Sequence, residues 1–205
     1  DHPLEAGQVR LRTLYSGISA GTELTAYRGS NPYLHKRWDA ERRLFASPWL
    51  AAVICNSAMV RDEIRDRFGY PEEKLHVIRN AVDGTSFHPG LRAERERILA
   101  LHHIPPEHTV YLLVGSGYGR KGVATAIRAL ASLPATAHLL VVGNEAHPQR
   151  YARIARSLAL SGRVHIAGPQ TDPKAHFGAA DAFVLPTIYD PCPNAALEAM
   201  ACALP

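Results

Sequence analysis

Several absences narrow this sequence before any motif is read. Its cysteines are only three, Cys55, Cys192 and Cys202, too few and too widely spaced for a zinc site. Cys55 closes an apolar, strand-like run and reads as a buried thiol, which fits a reducing compartment. Eleven histidines are present, but none stands in H-x-x-x-H spacing or in a Cys/His cluster. His102 and His103 are neighbours, so on a helix they would point about 100° apart. No metal site is expected. The longest apolar runs, such as residues 51–55 and 183–186, fall far short of the roughly eighteen residues that span a bilayer. A charged-then-apolar leader is missing too, so nothing points to secretion.

Charge of one sign is also lacking. Twenty-three Lys and Arg face nineteen Asp and Glu, for a net charge of +4. Acidic and basic residues interleave through residues 61–67 and 92–97, the pattern of solvated helix faces. A nucleic-acid-binding stripe would be more one-sided and would carry aromatic partners, so no nucleic-acid partner is expected. What the charge allows is weak attraction to anionic lipid, hence peripheral membrane association, or to phosphorylated small molecules.

What is present is a rhythm. Residues 1–40 stand apart: residues 8–15 alternate like a strand, a Gly/Ser/Thr stretch follows, and residues 28–33 are rich in turn formers. From residue 51 onward strands and helices alternate. Apolar strands are expected at 51–55, 75–78, 110–114, Ala137–Val142, 163–167 and 182–185. Between them, Val60, Ile64 and Phe68 share a helix face capped by Ser57 and ended by Gly69. Residues 92–101 read as a charged helix. Val123, Ile127 and Leu130 line another, Ile154 and Leu158 face inward on a third from about Gln149, and two more start near Lys174 and Pro193. Such alternation with short connections marks an α/β fold, a Rossmann-like parallel sheet with helices on both faces. Ligands of such sheets sit beyond the C-terminal ends of the strands, which directs attention to residues 115–122, 143–148 and 186–194.

The first of these segments is Gly115-Ser116-Gly117-Tyr118-Gly119-Arg120-Lys121-Gly122. Glycines let a ligand approach the backbone, a helix start offers free N–H groups to an anion, and Arg120 and Lys121 add two positive charges. A diphosphate site has this make-up. Two other readings stay open: a purely structural glycine turn, and a dinucleotide fingerprint in which Glu145 would hold a ribose. A P-loop is excluded, because Val123 stands where Lys should follow Gly122. The second segment, from Pro186 to Met200, contains Asp190 in a loop and Glu198 one turn into a helix beginning near Pro193. A loop carboxylate can reach a sugar while a helical one holds a ribose, with phosphate over the N–H groups between.

Together, Gly117-x-x-x-Lys121-Gly122, Val141-Val142-Gly143, Arg163 to Gly168, Ala179-Ala180-Asp181, Asp190 to Glu198, Val53 to Ser57 and Asn80-Ala81-Val82-Asp83 resemble the C-terminal domain of family 4 glycosyltransferases of the GT-B fold. The similarity runs over residues 41–205 and is greatest to bacterial enzymes of lipopolysaccharide and envelope-glycan assembly. It implies one half of a GT-B fold, incomplete at its C-terminus, in a cytoplasmic hexosyltransferase that acts with retention and without a metal or cofactor. The implied partners are a UDP-, GDP- or ADP-sugar donor and a glycan or glycolipid acceptor. Carried over by position, Arg120 and Lys121 neutralise the donor diphosphate, and Gly117 lets its backbone approach. His165 and Ile166 line the nucleobase pocket. Asp190, where the family usually has Glu, lies near the donor sugar with a reach one methylene shorter. Asn194 and Ala195 offer N–H groups to phosphate, and Glu198 binds ribose hydroxyls.

Residues 8–39 resemble something else, the N-terminal region of medium-chain zinc-type alcohol dehydrogenases. The similarity is carried by Arg12 to Glu23 and by Tyr27-Arg28-Gly29, with Ser16 or Ser19 where zinc-dependent members have a catalytic Cys. That implies a fused fragment, domain 1–40, with a seam near Asp39–Glu41. It also implies that the acceptor domain is missing, so that the chain binds a donor without transferring it alone. The alternatives are an NAD(P)-linked oxidoreductase fragment or a non-catalytic remnant.

Overall fold

The computed structural model describes residues 42–205. The strand expected at 8–15, the turn-rich loop at 28–33 and the seam near Asp39–Glu41 lie outside the described residues. The chain divides into two compact units, with the boundary between Ile78 and Arg79.

The first unit contains strand β1 (Val53–Cys55), helix α1 (Ala58–Phe68), a 3-10 turn (Glu72–Lys74) and strand β2 (Leu75–Val77). β1 and β2 pair in parallel, Val53 opposite Leu75. α1 starts where Ser57 accepts a hydrogen bond from the Val60 N–H and stops at Gly69, whose φ of 60° is left-handed and whose N–H reaches the Arg65 carbonyl. A side-chain cap and a left-handed glycine are the usual means of satisfying helix ends. Cys55, Val60, Tyr70 and Leu75 form the core, with Phe45 and Ile64 packed against them.

The second unit runs from a 3-10 segment (Pro89–Glu94) through α2 (Arg95–Leu101), β3 (Thr109–Val114), α3 (Tyr118–Lys121), α4 (Val123–Leu130), β4 (Ala137–Val142), α5 (Gln149–Ser157), β5 (Val164–Gly168), α6 (Lys174–Ala179), β6 (Ala182–Phe183) and α7 (Asn194–Ala201). Its four strands are parallel, in the order β5-β4-β3-β6. β4 shows why the sheet needs two covers. All six of its residues are buried, and they alternate between two cores, as the twofold period of a strand requires. Ala137, Leu139 and Val141 pack with Ile127, Leu130 and Tyr151. Leu140 and Val142 pack with Ile98, Leu99, Phe177 and Ala199.

Several details depart from the sequence expectation: the strand expected at 51–55 is confined to Val53–Cys55 with Ile54 exposed, and that expected at 182–185 to Ala182–Phe183. The helix expected at 92–101 opens with 3-10 geometry and becomes α-helical only at Arg95. Leu158, expected to face inward, is exposed because α5 ends at Ser157 and Leu158 is its cap; Tyr151 and Ala155 carry the buried face.

The Ala179-Ala180-Asp181 motif is structural. Asp181 accepts the Val110 N–H at 2.8 Å and pairs with Arg92 at 2.8 Å and Arg95 at 3.1 Å. It thus ties the 3-10 segment and α2 to the start of β3, and these partners hold its carboxyl below the usual range against the opposing effect of burial. Close packing beside it is set by Gly178. A Cβ there would lie 1.9 Å from the Leu91 carbonyl oxygen, whereas one at Gly162 would meet nothing within 4 Å. Gly178→Ala is therefore expected to lower the unfolding free energy by about 3 kcal/mol through overpacking. Gly162→Ala is the control, expected to stay within about 0.5 kcal/mol of the parent. Urea denaturation of both variants checks this, and equal midpoints would contradict the packing.

A chain of histidines breaks the apolar character of the core. His108 Nδ1 lies 2.8 Å from His138 Nε2, and His138 Nδ1 lies 3.0 Å from His165 Nε2. The His138 and His165 rings stack at 5.2 Å, and His102 sits 6.0 Å from His165 and 5.9 Å from His176. Ring nitrogens of His102 and His176 are buried without a hydrogen-bond partner. Burial, above all, depresses the pKa of His102, His138, His165 and His176, that of His165 to about 4.

Candidate functional site

The site is built at the C-terminal ends of β3 and β4, where the turns after the two strands are laced together. The Gly115 N–H donates to the Val142 carbonyl at 2.8 Å, Gly117 N–H to Asn144 O at 3.0 Å, and Gly143 N–H to Gly168 O at 2.9 Å. Gly143 has no room for a side chain, since a Cβ would stand 2.3 Å from the Gly115 oxygen. Tyr118 locks the turn. Its ring is fully buried, its hydroxyl donates to Gly143 O at 2.9 Å, and its N–H donates to Glu145 Oε2 at 2.8 Å. The second Glu145 oxygen accepts the His147 N–H at 3.2 Å. Burial, with Glu145 nearby, raises the Tyr118 pKa, so the phenol stays a donor.

This lacing changes the chemistry expected of the glycine loop. The N–H groups of Gly117 and Tyr118 are already bonded within the protein, so they are not open to an anion. Glu145 likewise accepts a backbone N–H at each of its oxygens and so helps to hold the loop. The loop's role is to place the cations. Gly115 lies under the Lys121 stem, where a Cβ would come within 2.8 Å of Lys121 Cε. Only glycine lets that side chain run back across the turn.

The segment that starts at Pro186 is held against the glycine loop. A Cβ on Gly122 would meet the Pro186 oxygen at 1.9 Å, so the two backbones touch. The Arg120 carbonyl accepts from the Ile188 N–H at 3.2 Å and the Thr187 hydroxyl at 3.0 Å. Asp190 is thereby brought to Lys121: its Oδ2 contacts Lys121 Nζ and lies 3.5 Å from Arg120 Nη1. The Asp190 and Lys121 side chains are only 8% and 11% exposed, a degree of burial that demands a charge partner for each.

Four residues further on, α7 begins. Its cap, Pro193, supplies no side-chain hydrogen bond, and among the described residues the N–H groups of Asn194 and Ala195 donate to no acceptor. The start of the helix is positioned by Asn80, a residue to which the motif alone assigns no role. Asn80 donates from its side-chain amide to Asn194 Oδ1 at 2.7 Å and to the Cys192 carbonyl at 3.0 Å. The Glu198 carboxylate is half-buried and makes no hydrogen bond or ion pair to a described residue, and burial raises its pKa.

The structure therefore brings together Arg120, Lys121 and Asp190, with Asn194, Ala195 and Glu198 on the helix that follows. Gly117 shapes the turn, its φ of 73° being left-handed. His165 and Ile166 lie on β5 and make their contacts with other residues. The His165 ring belongs to the histidine chain, and Ile166 packs into the core beside Tyr151 and Leu139. Among the described residues no cluster of three or more His, Cys, Asp or Glu is arranged to hold a metal ion, and no helix is long and apolar enough to cross a membrane.

A parallel α/β domain with a buried lysine, a half-buried arginine and open helix N–H groups at the C-terminal strand ends has the make-up of a phosphate-binding Rossmann-like domain. Comparison with known proteins narrows this. Residues 94–205 match the family model described as Glycosyl transferases group 1, and the chain belongs to that family. Residues 13–85 match the model described as Glycosyltransferase Family 4. That match runs through most of residues 8–39, for which a likeness to alcohol dehydrogenases is not shown, and it leaves the reading of a fused fragment unsupported.

Among curated proteins, the chain is 29% identical over 157 residues to the lipopolysaccharide core biosynthesis glycosyltransferase LpsE of Rhizobium meliloti (strain 1021), covering 75% of this chain and 42% of that protein. It is 34% identical over 106 residues to the lipopolysaccharide glucosyltransferase WaaG of Escherichia coli (strain K12), covering 50% and 28%. The chain thus spans less than half the length of these two relatives. Among solved structures, WaaG superposes with a TM-score of 0.78 at 22% identity, over 92% of this chain and 53% of that one. Anabaena HepE in complex with UDP and glucose gives 0.68 at 23%, over 76% and 43%. These likenesses establish the fold as half of a GT-B glycosyltransferase.

Proposed function

We propose that this chain is the donor-binding part of a retaining hexosyltransferase that takes a nucleoside-diphosphate sugar. The observation that carries the reading is the meeting of Arg120, Lys121 and Asp190 beside a helix whose first N–H groups are open. Two buried-side cations and the Asn194 and Ala195 N–H groups suit a diphosphate, and Glu198 suits the ribose hydroxyls. UDP is favoured as the nucleotide, because the HepE structures were solved with UDP and with UDP-glucose. A lipopolysaccharide-type glycan or glycolipid is the acceptor class favoured by the LpsE and WaaG likenesses. An acceptor of that kind would bring the enzyme to the inner face of a membrane, as a peripheral cytoplasmic protein.

In this reading catalysis is largely leaving-group stabilisation. Negative charge grows on the departing diphosphate as the sugar–oxygen bond breaks, and Arg120, Lys121 and the α7 N–H groups are the donors that would meet it. Preorganised donors of this kind supply the largest single contribution in many enzymes. Asp190 serves the sugar. Its reach favours contact with a hydroxyl, consistent with front-side transfer within an ion pair. His165 is left out of the donor site, since its ring nitrogen is engaged with His138.

The role of Glu198 gives a direct test. The parent protein should bind UDP about tenfold more tightly than 2′,3′-dideoxy-UDP, the scale of a lost hydrogen bond to a charged group. Glu198→Ala should bind both nucleotides equally. A Glu198→Ala protein that still prefers UDP would remove Glu198 from the ribose site.

A further inference from the structure

The ion pair that defines the site also obstructs it. Arg120 and Lys121 carry two positive charges, yet Asp190 has already claimed both. Lys121 is 9% exposed, and a buried ammonium left without a counter-ion is strongly disfavoured. Some anion must therefore stand beside it in the empty protein. The loop that carries Asp190 cannot simply swing away, because Pro186 is seated on Gly122 and residues 187 and 188 are bonded to the Arg120 carbonyl. Any change of partner has to occur at the Asp190 side chain.

We propose that Asp190 is the resident counter-ion of the donor site, and that a nucleoside diphosphate binds by exchange. The diphosphate takes over Lys121 and Arg120, and the released carboxylate turns to the donor sugar. This rests on the donor-site reading above and adds a regulatory consequence to it. Asp190 holds the cations in place while the site is empty, and it sets a threshold that weak anions do not cross. Chloride brings no more charge than the carboxylate already in contact with Lys121, whereas a diphosphate brings more and offers enough oxygens to meet Lys121 and Arg120 together. The side chain that later serves the sugar is set free only when the diphosphate arrives, so nucleotide and sugar recognition are coupled through one residue.

The exchange is tested by titrating the parent protein and Asp190→Asn with UDP and with inorganic diphosphate in a calorimeter. Without its competitor, the variant should bind both ligands about tenfold more tightly, a difference of about 1.4 kcal/mol. It should also melt at a lower temperature than the parent when no anion is present and recover when diphosphate is added. Asp190→Glu keeps the charge and should show no gain. Should the asparagine variant not fold, Asp190→Ser gives the same comparison. If the parent binds UDP and the variant binds it no more tightly, the exchange is wrong while the donor site stands. If neither protein binds UDP or diphosphate, the donor-site reading fails and the exchange fails with it.

Discussion

Replacing Lys121 with alanine is expected to weaken UDP binding by about ten- to hundredfold, the range for losing a charge-assisted hydrogen bond. The turnover of an intact enzyme should fall by about 10²–10³, the range for removing a preorganised donor from a developing negative charge. The reason is the position of the side chain as well as its charge. Lys121 crosses the turn over Gly115 and reaches Asp190, so no other cation can take its place from the same backbone. Arginine at 121 would have to fit a longer, forked head into a space shaped for an ammonium. It should restore less than half of the lost binding energy. Calorimetry on the two variants checks both statements. Wild-type affinity in Lys121→Ala would show that the diphosphate lies elsewhere.

Acid should unfold the second unit well before its carboxylates are all protonated. His102, His138, His165 and His176 have depressed pKa values in the folded protein, that of His165 about 4, against about 6.5 in an unfolded chain. Well above about pH 6.5 these rings are neutral in both states and cost folding nothing. As the pH falls, the unfolded chain takes up protons that the folded protein refuses, so stability drops with decreasing pH down to the folded-state values. The slope approaches about 1.4 kcal/mol per pH unit for each histidine that stays neutral. Besides one another, the rings feel His108, His103, Arg163 and Arg97, which also disfavour protonation, while the Pro173 backbone and Asp172 favour it at His176. Carboxylates such as Asp83, at about 2, and Asp181 have lowered values and withdraw their stabilisation in a separate window below about pH 4. Urea midpoints measured from pH 7 to pH 4.5 should fall steeply. His165→Leu should flatten the curve by about one proton's worth. A level profile between pH 7 and pH 5 would mean that the rings titrate as freely in the fold as outside it.

Much of this architecture is legible in the chain because it is local. The run Ala137–Val142 reads as a buried strand because every position is apolar apart from His138, and the helix after Ser57 announces both of its ends. Lys121 and Asp190 stand out because their segments follow strands in a parallel sheet. The parts that were not legible depend on register. His108, His138 and His165 are each unremarkable in sequence. They meet because parallel pairing sets Val110 opposite His138 and Leu140 opposite His165. His165 was therefore expected at the nucleobase, from its place in a motif, while its ring is held by a neighbour on the next strand. Glu145 shows the same limit: at the end of β4 it suits a ribose, but the turn beside it turns both carboxylate oxygens to backbone N–H groups. Asn80 lies more than a hundred residues from its partners Cys192 and Asn194, a separation at which no periodicity speaks.

The most direct test of the donor-site account is a calorimetric titration of this protein with UDP, GDP, ADP and NADH under one buffer. The account predicts that a nucleoside diphosphate, UDP first, binds with a dissociation constant below about 1 mM, and that NADH does not compete with it. Tighter binding of NADH, or no binding by any of the diphosphates below that concentration, would contradict it.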